Sequence, residues 1–285
     1  LLDGVNLSMS TYRDDSEISS FNRSPPEDWV QASPEFLQVL QAALSVGERS
    51  EGAYDVTVAP LVDLWGFGPG ELVEVVPADE EIAAGMQRVG QQHLRLDGAG
   101  GRVMKRIDLS LDFSSLAKGH AVDRIAGLLM QRGIERFMVE VGGEMRLSGL
   151  SGRGDPWRIA IEQPDGTLRA VAAAMSLTDV AIATSGDYRN YFEVEGRRYS
   201  HMIDPRTGRP VAHDLVSVTV VNPECMVADA WATALVVLGR ERAMTVAREQ
   251  GLAVYFIHRA GDEFVHSHTP SFAGYLSGAD ARDGA

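Results

Sequence analysis

Asp229 and Thr233 stand four residues apart in the helical stretch Val227–Leu238, so both side chains leave one face of a single turn. A carboxylate and a hydroxyl so placed offer two hard oxygen ligands to Mg²⁺, which keeps other positions for water or phosphate oxygens. A plainer reading stays open: an acid in a first helical turn favours the helix dipole, and a threonine can bond back to a carbonyl. Lys118 lies in Leu116-Ala117-Lys118-Gly119-His120, between a strand-like segment and a helix. Backbone N–H groups at a helix start with a lysine beside them can hold a phosphate, and a solvated lysine is the alternative. No G-x-G-x-x-G or Walker spacing accompanies it. In His201-Met202-Ile203-Asp204-Pro205-Arg206-Thr207-Gly208, a β-turn accounts for Pro205 and Gly208 and leaves His201 and Asp204 unexplained. Gly142-Gly143-Glu144 reads as a tight connection or a place where a ligand nears the backbone. His266 and His268 fit a polar strand better than a metal clip.

These residues need elements to position them. Ser33, Pro34 and Glu35 read as cap, first-turn proline and first-turn acid of a helix running to about Ser50, with Gly52 as its stop. Ala53 to Gly70 reads as an ordered loop, and Pro77 to Gly90, with its Ile82/Met86/Val89 stripe, as a second helix. His93–Leu96 and Val103–Ile107 flank the turn Gly98–Gly101. Lys118–Arg132 carries a helical pattern at Ala121, Ile125, Leu128 and Leu129. Strands are expected at Phe137–Val141, Met145–Leu147, Trp157–Ile161, Ala170–Met175, Val180–Thr184 and Leu215–Val221. Tyr191–Val194 and Arg198–Ile203 are expected to pair about Glu195-Gly196. Helices at Val227–Leu238 and Glu241–Gln250 and a late strand at Leu252–His258 complete the pattern. Strands in runs with interspersed helices favour α+β with a largely antiparallel sheet over a doubly wound parallel one.

Composition narrows the partners. Lys+Arg 26 against Asp+Glu 40 leaves a net charge of −14, which repels phosphate backbones and anionic lipid, so nucleic-acid binding is excluded as the working reading. An anionic small ligand would need local compensation from a metal, a few basic side chains or backbone N–H groups. Cys225 is the only cysteine, so one chain holds neither a disulfide nor a cysteine-based zinc site. No apolar run is long enough to span a bilayer. The chain opens on Leu1 rather than Met, as expected of a cut point that removes any export signal or anchor.

Several motifs come in a fixed order. Met-Ser-Thr-Tyr at 9–12 is followed by Ser16-Glu17, Asn22, Gly-Ala-Tyr-Asp-Val-Thr-Val-Ala-Pro-Leu-Val at 52–62 and Leu-Trp-Gly-Phe-Gly at 64–68. Then come Ala-Lys-Gly-His-Ala-Val-Asp at 117–123, Val-Gly-Gly-Glu at 141–144 and Ala-Thr-Ser-Gly-Asp-Tyr at 183–188. The 201–208 motif and Ala-Asp-Ala-Trp-Ala-Thr-Ala at 228–234 close the series. In this order the chain resembles the ApbE family, the FAD:protein FMN transferases, from Met9 to about Phe256.

The resemblance implies a Mg²⁺-dependent enzyme that splits the pyrophosphate of FAD and joins FMN to a Thr or Ser hydroxyl of a target protein, AMP leaving. It implies acceptors among the subunits of membrane redox complexes of the NADH:quinone oxidoreductase type. It also implies a periplasmic, lipid-anchored location at the inner membrane, and one flavin-transferase domain over residues 1–285. The implied fold is α+β, two-lobed and tunnelling-fold-like, with FAD between the lobes. Asp229 and Thr233 match the family's metal-binding helix, and Ala117 matches the position lending a backbone carbonyl to the same ion. Tyr12, Ala53, Tyr54, Asp55, Ser114, Lys118 and Ile203 match positions lining the FAD site. His201 matches a histidine beside the Asp-Pro turn that serves as general base or phosphate partner, while Thr184–Asp187 and Gly142–Glu144 match motifs bordering the cleft. Catalysis is thus expected of His201, Asp229 and Lys118, with Asp229 a surface-facing ligand of little weight in the core.

The family pattern is departed from twice. A Met-Gly-Thr strand upstream of Met-Ser-Thr-Tyr does not occur here, and Asp112-Phe113-Ser114-Ser115 stands where many members read Asp-Leu-Ser-Gly. An FAD pyrophosphatase giving FMN and AMP, and a non-catalytic FAD-binding protein, are the alternatives to transfer.

Overall fold

The computed structural model describes residues 1–69, 74–164, 170–187 and 190–277. Gly70 and Tyr188 lie outside these. In chain order the elements begin α1 (Leu2–Met9), α2 (Glu17–Arg23), β1 (Val30–Gln31), α3 (Pro34–Arg49), α4 (Ala59–Leu64), α5 (Asp79–Met86), β2 (Leu94–Asp97) and β3 (Arg102–Lys105). They continue α6 (Ala117–Gln131), β4 (Phe137–Val141), β5 (Glu144–Ser148), β6 (Trp157–Glu162), β7 (Val171–Leu177) and β8 (Ala181–Gly186). Short strands follow: β9 (Tyr191–Val194), β10 (Arg197–Ser200), β11 (Ile203–Asp204) and β12 (Arg209–Pro210). Last come β13 (Leu215–Asn222), α7 (Cys225–Leu238), α8 (Arg240–Glu249), β14 (Ala253–Ala260) and β15 (Glu263–His268). Helices and mainly antiparallel sheets make the α+β class expected from the sequence.

Local chemistry sets most boundaries. Ser33 Oγ accepts the Phe36 N–H at 3.1 Å and caps α3. The stretch Ala53–Gly70, expected as a loop, contains α4: Pro60 sits in its first turn and Gly66, at φ 78°, follows its end, so the residues that suggest a loop are its punctuation. Helix α5 is shorter than the expected Pro77–Gly90: Glu81 reaches back to the Ala78 N–H at 2.8 Å and fixes the start there, and the helix ends at Met86. Helices α1 and α2 are not among the expected elements; each buries three side chains, only two of them apolar, too few for a readable period. The expected strand Arg198–Ile203 is broken after Ser200, and Ile203–Asp204 pairs instead with Arg209–Pro210.

The chain divides into two compact units: Leu1–Ala117 with Asn190–Ala212, and Lys118–Arg189 with His213–Ala285. The first unit carries the sheet β1-β3-β2 and the hairpins β9–β10 and β11–β12. One of its cores joins Leu61, Trp65, Ile82, Phe192 and Ile203. Lys105 is fully buried here, its Nζ donating to the carbonyls of Asn22 and Leu109 at 2.8 Å each. Burial holds its pKa below the usual lysine range.

In the second unit six antiparallel strands run in the order β15-β14-β13-β8-β5-β4. Alternation sorts their side chains: Leu147, Ile182, Tyr255 and Ile257 meet Ile161, Met175 and Leu177 of the β6–β7 hairpin and Phe272. On the other face Phe137, Val139 and Ala181 meet Val122 and Ala126 of α6 and Cys225 of α7. Helix α7 is buried nearly all round, as its continuous apolar sequence requires. His258 is buried on β14 with its Nδ1 lacking a hydrogen-bond partner among the described residues, and burial, then Arg240, pull its pKa below the usual histidine value.

Two stability tests follow from these buried bases. Lys105→Met strands two carbonyls and should cost about 2–4 kcal/mol in urea unfolding. For His258 the unfolded chain binds the proton first as pH falls, so stability should decline below pH ~6.5 by up to about 1.4 kcal/mol per unit until the lowered folded pKa is passed. Melting temperatures from pH 7.5 to 5 check this, and His258→Asn should flatten the slope.

Candidate active site

Helices α6 and α7 cross where α6 begins. Gly119 permits it: a Cβ there would stand 2.5 Å from the Cys225 carbonyl oxygen and 2.7 Å from Met226 Cα. That closeness brings the Gly119 N–H, one of the donors a helix start leaves unpaired, to Asp229 Oδ2 at 3.1 Å. Asp229 is only 2% exposed, which corrects the expectation of a surface-facing ligand. Nor does it lie in a first turn: α7 begins at Cys225, so Asp229 sits one turn in and the dipole reading lapses. Burial pushes its carboxyl up to about 8; Lys118 and the Gly119 N–H oppose that, and Glu144 adds repulsion.

Lys118 pairs with Glu144, the first residue of β5. Glu144 is 2% exposed, and its Oε2 has no hydrogen-bond partner among the described residues. Gly142, at φ 64°, makes the turn ahead of it, and a Cβ there would come within 3.0 Å of Lys118 Cδ and 3.6 Å of Glu144 Oε2. On the neighbouring strand β8, Ser185 Oγ lies 3.1 Å from Thr233 Oγ1, so the 184–187 motif reaches Thr233 of α7 through a hydroxyl pair.

The second unit therefore gathers Lys118, Gly142–Glu144, Ser185, Asp229 and Thr233, with Ala117 immediately before Lys118 at the start of α6. Two buried acids share one lysine, burial favours the neutral form of Asp229, and Glu144 Oε2 stands without a hydrogen-bond partner among the described residues. A carboxylate, a hydroxyl and a backbone carbonyl are hard donors, so the residues fit Mg²⁺. Among the described residues no three His, Cys, Asp or Glu cluster as a metal group, and the set in question carries a single carboxylate.

The other matched residues belong to the first unit. Tyr12 is 74% exposed, Ser114 is exposed, and Ala53, Tyr54 and Ile203 are buried. The Tyr54 hydroxyl lies 2.9 Å from Ser115 Oγ. Asp55 fixes its loop: Oδ1 accepts from the Thr57 N–H and hydroxyl at 2.8 and 2.6 Å, and Oδ2 from the Gln91 N–H beyond α5 at 3.0 Å. Asp204 is likewise explained by the turn, where Oδ1 accepts the Arg206 N–H at 2.9 Å and the side chain pairs with Arg206. His201 Nδ1 lies 3.0 Å from the Asn190 carbonyl, and a carbonyl only accepts, so Nδ1 is the donor of this bond. Its ring and that of Phe67 stand in a T-shaped arrangement with centroids 6.3 Å apart.

Asp123 is absent from the residues read as functional, yet it accepts the Cys225 and Met226 N–H groups at 3.1 and 2.9 Å and pairs with Arg146 at 2.6 Å. A signal existed: Pro223-Glu224 offers α7 no local side-chain cap, so a cap had to come from elsewhere. His266 and His268 stay outside the site, on β15, with His266 Nδ1 bonded to the Tyr255 hydroxyl at 2.8 Å.

Fold and site together define an α+β protein with a buried, oxygen-rich polar centre. A family profile described as the ApbE family matches residues 1–256, and the chain belongs to that family. It is 49% identical over 278 residues to an FAD:protein FMN transferase of Vibrio cholerae, covering 97% of this chain and 83% of that one. With its counterpart in Escherichia coli K12 the identity is 42%, covering 96% and 79%. Among solved structures, the flavin transferase ApbE from Vibrio cholerae superposes with a TM-score of 0.89 at 47% identity over 96% of this chain and 87% of that one. The apo form of the Pseudomonas stutzeri flavinyl transferase ApbE gives 0.88 at 41%, covering 95% and 84%.

Gly119→Ala tests the crossing. The added methyl meets backbone, which cannot swing away, so it should cost about 1–3 kcal/mol by overpacking in thermal or urea unfolding.

Proposed function

We propose that this chain transfers FMN from FAD to a threonine or serine hydroxyl of a redox protein, with magnesium dependence and AMP release. The observation that carries this is the buried Asp229 carboxylate facing the Gly119 N–H, beside Lys118 and Glu144, in a chain whose relatives are named FAD:protein FMN transferase. Mg²⁺ held by Asp229, Thr233 and the Ala117 carbonyl would supply Lewis-acid charge for the diphosphate, worth several kcal/mol of transition-state stabilisation.

The protein's share is placement and charge, since phosphoryl transfer asks little covalent work of side chains. Lys118 supplies a fixed cation in a chain of net charge −14, and Glu144 holds its ammonium in one place. The acceptor hydroxyl oxygen bonds to the phosphorus on the FMN side, the bond from that phosphorus to the AMP oxygen breaks, and the hydroxyl proton passes to His201 Nε2. Tyr12, Tyr54, Ser114 and Ile203 are read as flavin-site residues on their match to the family motifs, with Asp55 shaping the loop that carries Ala53 and Tyr54. Acceptors of the membrane NADH:quinone oxidoreductase type and a periplasmic location belong to the same proposal and rest on the family resemblance.

Incubation with FAD, Mg²⁺ and a candidate acceptor domain, followed by intact-mass measurement, decides the reading. An acceptor heavier by one FMN supports transfer. AMP and free FMN without an adduct point to hydrolysis, and intact FAD leaves binding alone. Asp229→Asn should lower turnover by about 10²–10³-fold while the chain stays folded, and His201→Ala by about 10²-fold. Undiminished magnesium-dependent turnover in Asp229→Asn would defeat the metal assignment.

A further inference from the structure

We infer that Asp123 is the positioning residue for Asp229, through a reciprocal cap between α6 and α7; for its functional consequence this rests on the metal reading of α7 above. Each helix begins with unpaired N–H donors, and each receives a carboxylate from the other. Asp229 of α7 takes the Gly119 N–H in the first turn of α6 at 3.1 Å. Asp123 of α6 takes the Cys225 and Met226 N–H groups at the start of α7 at 3.1 and 2.9 Å. Gly119 and Asp123 are four apart on one face of α6, so a single face holds both ends of the exchange.

Three further features lock the arrangement. Arg146 holds Asp123 at 2.6 Å from β5, two residues beyond Glu144, which holds Lys118. Cys225 is buried with its thiol 3.4 Å from the Met145 carbonyl. Glu224, at the cap position of α7, supplies no side-chain hydrogen bond, so the helix depends on Asp123 for two of its first donors. Axial slip of α7 would break the Asp123 bonds and draw Asp229 from Gly119 in the same movement. An ordinary cap would protect α7 alone. This one also fixes where the buried carboxylate stands, as outer residues commonly do for metal ligands.

The test compares Asp123→Ala with Ile257→Ala, a core truncation on the opposite face of the sheet, at matched loss of melting temperature. Two readouts are taken: the ¹H–¹⁵N shift of the Gly119 amide without metal, and Mn²⁺ affinity by electron paramagnetic resonance. Asp123→Ala should move the Gly119 amide upfield and weaken Mn²⁺ binding by about 10–100-fold, whereas Ile257→Ala should move neither. Asp123→Asn keeps one acceptor and should fall between; it replaces the alanine variant if that one does not fold. An unmoved Gly119 amide together with wild-type Mn²⁺ affinity in the Asp123 variants would overturn the inference and leave a simple structural cap. If the wild-type chain takes up no Mn²⁺, the metal reading fails instead, and the Gly119 shift alone then decides the clamp: moved upholds it, unmoved overturns it.

Discussion

A carboxylate taken out of water must be answered by donors or by cations, and Asp229 is the place in this protein where that requirement is sharpest. It stands in a helix that is otherwise a core element, and burial alone drives it toward its neutral form. What answers it is a backbone N–H brought within reach because Gly119 has no side chain to keep α6 and α7 apart. Nearly every feature of the second unit's polar centre can be derived from that need: the close crossing, the Lys118–Glu144 pair beside it, and the carboxylate that ties the first turn of α7.

The strand β5 organises the charges around this point. Glu144 and Arg146 are two apart, hence on one face, and they pair with Lys118 and Asp123 of α6 in opposite polarity. Exchanging the two contacts would set acid against acid and base against base. The pattern therefore specifies the register of helix on strand as well as holding each group in place.

The first unit works by loop fixation. Asp55 and Thr57 bind the backbone at Gln91 and Gly90, which holds the segment carrying Ala53 and Tyr54 to the far end of the α5 region. Around the β9–β10 hairpin, Trp65, Tyr199, Phe192 and Phe67 stack in succession at centroid spacings of 5.5, 5.3 and 5.4 Å, and the His201 ring makes a T-shaped contact with the last. The Trp65 indole donates to the Gly208 carbonyl at 2.8 Å, so the turn after His201 is tied to the same stack. The histidine is thus oriented both by the Asn190 carbonyl and by an aromatic wall.

Local rules settled a good part of this protein from the sequence. The cap at Ser33, the alternation in the strands and the four-residue spacing of Asp229 and Thr233 are statements about neighbours in the chain, and they hold; α6 forms as expected, but it buries Val122 and Ala126 and leaves Leu128 of the expected stripe exposed. Helices α1 and α2 escaped because their buried faces are too narrow to show a period, and α4 because its own punctuation resembles a loop. The tertiary structure alone decided that Asp229 is buried, that Asp123 caps a helix roughly a hundred residues away, that Asp55 ties its loop to Gln91, and that Asp204 closes its own turn. The reason is physical: periodicity reports which face of an element is apolar, whereas the partner of a buried charge depends on which elements cross. That crossing is set by sheet order and by one missing Cβ at Gly119, neither of which leaves a local trace in the pattern of residues.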